Sequence, residues 1–133
     1  MQDLCRGRIL VIEEDRDLGR LFEAVLTIEG YHVTVAAHIY EAHRILSRLE
    51  PNLIIFDWSF HHAAGYVWID ELRTTTNTSH IPVLLVCGAL PPRSIYEMLA
   101  GMGVPIIEKP FDLIAFNRCV ASLMRSQERA VGA

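Results

Sequence analysis

Four side chains suited to charge-transfer chemistry stand at the ends of short apolar runs. Glu13 and Glu14 follow RILVI (residues 8–12), Asp57 follows LIIF (53–56), and Lys109 closes the run that begins at Val104. Lys109 is the single lysine among twelve basic residues, so a compact, flexible ammonium has been kept at one position in a chain otherwise given over to arginine. Three carboxylates brought together repel one another unless a cation lies among them. Oxygen donors with room for water suit Mg²⁺. Such an ion beside a lysine neutralises the equatorial oxygens of a transferring phosphoryl group. A carboxylate there can act as the nucleophile and hold an aspartyl-phosphate.

These groups meet only if the chain folds so that the run ends share one edge. The pattern supports this. The 8–12 run reads as a buried strand, and Leu18, Leu21, Phe22, Val25 and Leu26 recur at helical spacing after it. Asp15 or Asp17 suits the N-cap of that helix and Gly30 its left-handed C-terminal residue. YHVTVA (31–36) alternates as a strand, and Ile39, Ala42, Leu46 and Leu49 mark a helix that ends before Pro51. LIIF forms the third strand, followed by a loop over 59–65 and a helix over 66–74. VLLVC (83–87) is the fourth strand, and Pro91 and Pro92 introduce a helix ending near Gly101. A fifth strand over 104–108 contains Pro105, which points to a sheet edge. Leu113, Phe116, Val120 and Leu123 give a closing helix, with a frayed tail expected from Gln127. Five βα units with near-continuous apolar strands imply an α/β fold, a parallel sheet covered on both faces. In such sheets ligands bind outside the carboxyl ends of the strands, where Glu13, Glu14, Asp57, Cys87 and Lys109 all fall.

Composition narrows the function classes. The chain has 133 residues, 51% hydrophobic and 21% charged, which suits one globular domain over 1–133 with its core at about 8–125. No apolar run approaches the roughly 18 residues needed to span a bilayer. Residues 1–8 are too polar for a signal peptide, so a cytoplasmic protein without membrane insertion is expected. The net charge of −4 offers no footprint for direct nucleic-acid binding. Cys5, Cys87 and Cys119 are odd in number and widely spaced, which argues against a disulfide scaffold or zinc site. His61 and His62 read as an exposed loop pair.

With ILVIEED at 9–15, PNLIIFD at 51–57 and IIEKPF at 106–111 in this order and spacing, the sequence resembles the receiver domains of two-component response regulators. The resemblance covers roughly 8–125 and implies a flavodoxin-like sheet of order 2-1-3-4-5. It implies that Asp57 is the phosphoacceptor and Lys109 the phosphoryl contact. Mg²⁺ would be held by Glu13, Glu14, Asp57 and the backbone carbonyl of Ser59. Pro110 follows the lysine as in the family, where that bond is commonly cis, and Gly65 matches the glycine closing the loop after the third strand. A sensor histidine kinase or histidine phosphotransfer protein would supply phosphate, a downstream effector would read the result, and a homodimer is compatible with the family. The domain itself would be regulatory rather than an enzyme.

Four departures stand out. Glu14 replaces the usual Asp and is one methylene longer. Cys87 holds the position of a Ser or Thr hydroxyl, and a thiol is a weak donor; a small buried hydrophobe and a redox role are both open to it. Ile106 stands where the family has a mobile aromatic ring. Phe60, His61 and His62 replace the usual loop proline. Glu14, Cys87 and Ile106 motivate a second reading, a degenerate receiver that binds partners without phosphorylation. Phosphatases of the haloacid dehalogenase type need an Asp where Ser59 stands, and no GxxxxGK[ST] loop occurs. A flavodoxin-like cofactor site would set phosphate against Glu13 and Glu14.

Overall fold

The computed structural model describes residues 5–58 and 63–132. Five strands and five helices alternate: β1 (Arg8–Ile12), α1 (Arg16–Ile28), β2 (His32–Ala36), α2 (Ile39–Leu46), β3 (Leu53–Asp57), α3 (Ala63–Thr74), β4 (Val83–Cys87), α4 (Arg93–Gly101), β5 (Ile106–Glu108) and α5 (Leu113–Gly132). All strand pairs are parallel, in the order β2-β1-β3-β4-β5. This is the α/β sheet that the sequence pattern and the resemblance implied.

Strand residues divide by alternation between two cores, as side chains on a pleated sheet must. Leu10, Ile12, Ile54, Phe56 and Leu85 pack with Ala42, Trp68, Ile69, Leu72 and Leu99 of α2, α3 and α4. Ile9, Val11, Leu53, Ile55, Leu84 and Val86 pack on the other face with Phe22, Leu26, Phe116, Val120 and Met124 of α1 and α5. Burial on both faces explains why these strands read as unbroken apolar runs.

Local chemistry sets most element ends. Asp15 caps α1, its carboxylate accepting from the Asp17 and Leu18 amides at 2.9 and 3.1 Å. Gly30 takes φ +99° just beyond the helix, a conformation that costs glycine little. His38 caps α2, with Nδ1 accepting from the Glu41 amide at 3.2 Å, while Glu41 Oε2 accepts from Ala37 N–H. This is a variant of the capping box, with imidazole as the first acceptor and the returning bond made to the residue before the cap. β5 is a short edge strand that starts after Pro105, and the Pro105 carbonyl still accepts from Leu85.

Three boundaries differ from the sequence expectation. α2 ends at Leu46 because the Ser47 hydroxyl turns back onto the Arg44 carbonyl at 2.6 Å. α5 runs to Gly132 through Gln127, Glu128, Arg129 and Ala130, all residues of high helix propensity, where a tail was expected. α3 begins at Ala63, within the span expected as loop. Gly65 is therefore a first-turn helix residue rather than a loop closure. Its lack of a side chain makes room for the indole of Trp58: a Cβ there would stand 2.5 Å from Trp58 Nε1. Trp58 is buried and stacks on Phe56 at 6.2 Å, and Trp68 meets Phe56 edge-on at 5.5 Å. Because overpacking a tight core costs about 1–3 kcal/mol, Gly65→Ala is expected to lower the unfolding free energy by that amount, seen as a lower urea midpoint at unchanged m-value, and to shift the Trp58 emission. An unchanged midpoint would show that the indole has room to move.

Candidate functional site

The carboxyl edge of the sheet fixes each reactive residue through the strand ladder. The Glu13 amide donates to Ala36 O at 2.9 Å, extending the β1–β2 pairing by one residue. Asp57 is in register with Val86, and Trp58 N–H donates to Val86 O at 2.9 Å. The Lys109 amide donates to Cys87 O at 2.7 Å, just beyond β5. Three residues far apart in sequence are thus set by backbone bonds on neighbouring strands.

Their side chains converge. Lys109 Nζ lies 2.5 Å from Asp57 Oδ2, and the Asp57 side chain is only 8% exposed. That oxygen is sealed from solvent, and the ammonium approaches it without hydrogen-bond alignment. Glu13 is 6% exposed and stands beside Asp57. Two carboxylates this close favour the protonated form of one of them. Burial first, then hydrogen bonding toward Asp57 and repulsion from its charge, push the Glu13 carboxyl up to about 8. The Asp15 amide, 3.1 Å from Glu13 Oε1, and the Lys109 charge pull the other way without prevailing.

Glu14 is exposed and lies where three surface clefts meet. One of these, about 470 Å³, holds Glu13, Glu14, Asp57 and Lys109, with Leu18, Trp58 and Leu90 among its apolar walls. The donor set is wholly oxygen and suits Mg²⁺. The proton that Glu13 retains against Asp57 marks the excess negative charge that a divalent ion would relieve. As the side chains stand, among the described residues no three acids close around one point; Glu14 would have to swing in from the rim.

Cys87 is fully buried, its sulfur 3.9 Å from Ile107 O. Burial, then the charges of Glu108 and Asp57, push its thiol upward, partly opposed by Lys109. Reactive cysteines need the thiolate and exposure, so Cys87 packs as a small apolar residue. The Lys109–Pro110 bond is cis. Ile106 is half-buried and lines a groove with Tyr96 of α4. Ser59, Phe60, His61 and His62 lie outside the described residues. Sequence reasoning missed Trp58 and Leu90 as walls of the cleft. The only signal for Trp58 was a large ring directly after a buried strand.

Comparison with known proteins agrees with this geometry. Residues 9–120 match the response regulator receiver domain. The chain belongs to the response-regulator receiver family. The transcriptional regulatory protein KdpE of Staphylococcus aureus is 27% identical over 108 residues, covering 81% of this chain and 46% of that protein. The response regulator PleD of Caulobacter vibrioides is 30% identical over 119 residues, 90% of this chain and 26% of PleD. This receiver spans about half the length of the first curated relatives it matches. Those relatives are regulators by name rather than catalysts. Among solved structures, a CheY-like receiver domain protein from Methanospirillum hungatei JF-1 superposes with a TM-score of 0.81 at 20% identity, over 92% of this chain and 97% of that one. The receiver domain of a histidine kinase from Syntrophus aciditrophicus gives 0.78 at 26% identity, over 90% and 91%. Among the described residues, no helix of this receiver is long and apolar enough to cross a membrane.

The acid pair carries a testable pH dependence. Glu13 keeps its proton in the folded state up to about pH 8, whereas its ordinary value is 4.5. A group raised on folding contributes stability that is full below its unfolded value and lost as pH rises through its folded value. The metal-free receiver is therefore expected to lose stability between about pH 5 and pH 8 from this group. Asp57→Asn, which removes the repelling charge, should flatten that slope in urea melts taken across the range. Parallel pH profiles for the two proteins would contradict the coupling.

Proposed function

We propose that this receiver is a phosphorylation switch in which Asp57 takes a phosphoryl group from a sensor histidine kinase or a histidine phosphotransfer protein. The observation that carries the reading is the contact of Lys109 with a sealed Asp57 oxygen at 2.5 Å, beside Glu13, on the carboxyl edge of the sheet. Asp57 is held by the ladder with one face toward the cleft. A carboxylate oxygen bonds to phosphorus as the phosphorus–nitrogen bond to the donor imidazole breaks, and the electron pair leaves with the imidazole. Lys109 then transfers its attraction from the carboxylate to the new phosphoryl oxygens.

Glu13, Glu14, Asp57 and the Ser59 carbonyl are the groups that would hold Mg²⁺, whose charge offsets that of the acids and of the incoming phosphoryl group. Glu13 loses its proton to serve. Glu14 reaches inward from the rim with one methylene more than Asp would have. Because Lys109 is continuous with β5, a change in its partner is transmitted to β5 and the neighbouring α4 surface. An effector protein, or a second copy of the chain, would read that surface. The net charge of −4 gives the receiver itself no basis for direct binding to nucleic acid.

A second reading, a receiver that binds partners without phosphorylation, is motivated by Glu14 out on the rim and by the weak thiol donor Cys87 in place of a hydroxyl. Intact-mass spectrometry after incubation with acetyl phosphate separates the two. The switch predicts a single phosphate adduct that requires Mg²⁺, vanishes with EDTA and is absent from Asp57→Asn. No adduct on a folded sample, with another receiver labelled in parallel, would overturn it in favour of the second reading. Label on Asp57→Asn would show that another residue accepts the phosphate.

A further inference from the structure

Helix α2 is held on the sheet by few side chains. Of its eight residues only Ala42 is fully buried, with Ile39, Ile45 and Leu46 partly so. Among the described residues, one side-chain hydrogen bond ties it to α3. Trp68, 3% exposed, donates its indole N–H to His43 Nε2 at 3.2 Å, with the two rings nearly perpendicular at 6.0 Å. The imidazole itself is exposed. A neutral imidazole has one nitrogen that accepts, and an imidazolium has none. Protonating His43 from solvent therefore removes the acceptor and turns Nε2–H against a buried donor, which is a costly arrangement.

We infer that α2 is a proton-sensitive element, tied to α3 through the Trp68–His43 bond while His43 is neutral and released from it as pH falls through the histidine range. The first turn of α2, with Ile39 and Tyr40, walls a cleft of about 410 Å³ that Phe56 and Trp58 share. Release at His43 thus reaches the packing beside the phosphoacceptor strand. The inference does not depend on phosphorylation. The charged and titratable groups of the two helices are Tyr40, Glu41 and Arg44 on α2, with His38 at its N-cap, and Tyr66, Asp70, Glu71 and Arg73 on α3. The Arg73 guanidinium is committed to the carbonyls of Met102 and Ile81, at 3.2 and 2.8 Å. Beneath the helix, β1 and β2 place Leu10, Ile12 and Ala36, with Arg8 and His32 at the strand starts.

The test is a pH series on the ¹⁵N-labelled full chain, following the Trp68 indole N–H, which is identified by its loss in Trp68→Phe. Between about pH 8 and pH 5, where imidazoles titrate, the indole proton should move toward the position of an unbonded indole. Its opening, measured by hydrogen exchange corrected for intrinsic rate, should rise about tenfold, the size of one lost buried hydrogen bond. In His43→Gln a carbonyl oxygen accepts at every pH, and the titration of the indole should disappear. Should that variant fail to fold, Trp68→Phe serves instead: with no donor to strand, the pH response of the α2 amides should shrink. An indole signal that does not titrate in the wild type, or that titrates equally in His43→Gln, would overturn the inference. So would α2 amides that respond to pH equally with and without the indole.

Discussion

The burial of Glu13 beside Asp57, with Lys109 against the second acid, is the constraint on which this receiver is organised. Two acids have been buried at one end of a sheet where neither can be solvated fully. Lys109 meets Asp57 at 2.5 Å, yet its charge does not bring Glu13 back to the ordinary carboxylate range. The site therefore retains uncompensated affinity for positive charge. It also retains a lysine whose partner can be exchanged, and both are requirements of a phosphoryl acceptor.

Holding such a cluster together needs a rigid frame, and the parallel ladder supplies it. Glu13, Asp57 and Lys109 each stand within one residue of a backbone hydrogen bond to the neighbouring strand. β3 and β4 are covered on both faces, with Leu53 to Ile55 and Val83 to Cys87 having essentially no exposed surface. Movement of the acids relative to one another would have to break this core. β5 lies at the sheet edge, and α2 is held by Ala42, the partly buried Ile39, Ile45 and Leu46, and the bond from Trp68.

How much of this was legible in the sequence follows from the range of each interaction. The strands, the caps at Asp15 and Gly30, and the convergence of Glu13, Asp57 and Lys109 all came from periodicity and from the rule that places ligands at strand ends. Those depend on residue type and order. The early start of α3 was hidden because Gly65 reads locally as a breaker. What calls for glycine there is the Trp58 indole, which packs where a Cβ would stand. The rim position of Glu14, the sealed environment of Cys87 and the Trp68–His43 bond are likewise tertiary facts with no periodic signature.

Glu14 and Cys87 alter the ligand reach and the donor strength of the site but leave the central acid pair and its lysine in place. The account therefore stands or falls on that pair. Its most direct test is a ¹³C NMR titration of the Glu13 carboxyl in the metal-free protein and again with Mg²⁺. The account predicts that Glu13 titrates at about 8 without metal and moves well downward when the ion is added. A Glu13 carboxyl that titrates near the ordinary 4.5 without any metal would contradict it.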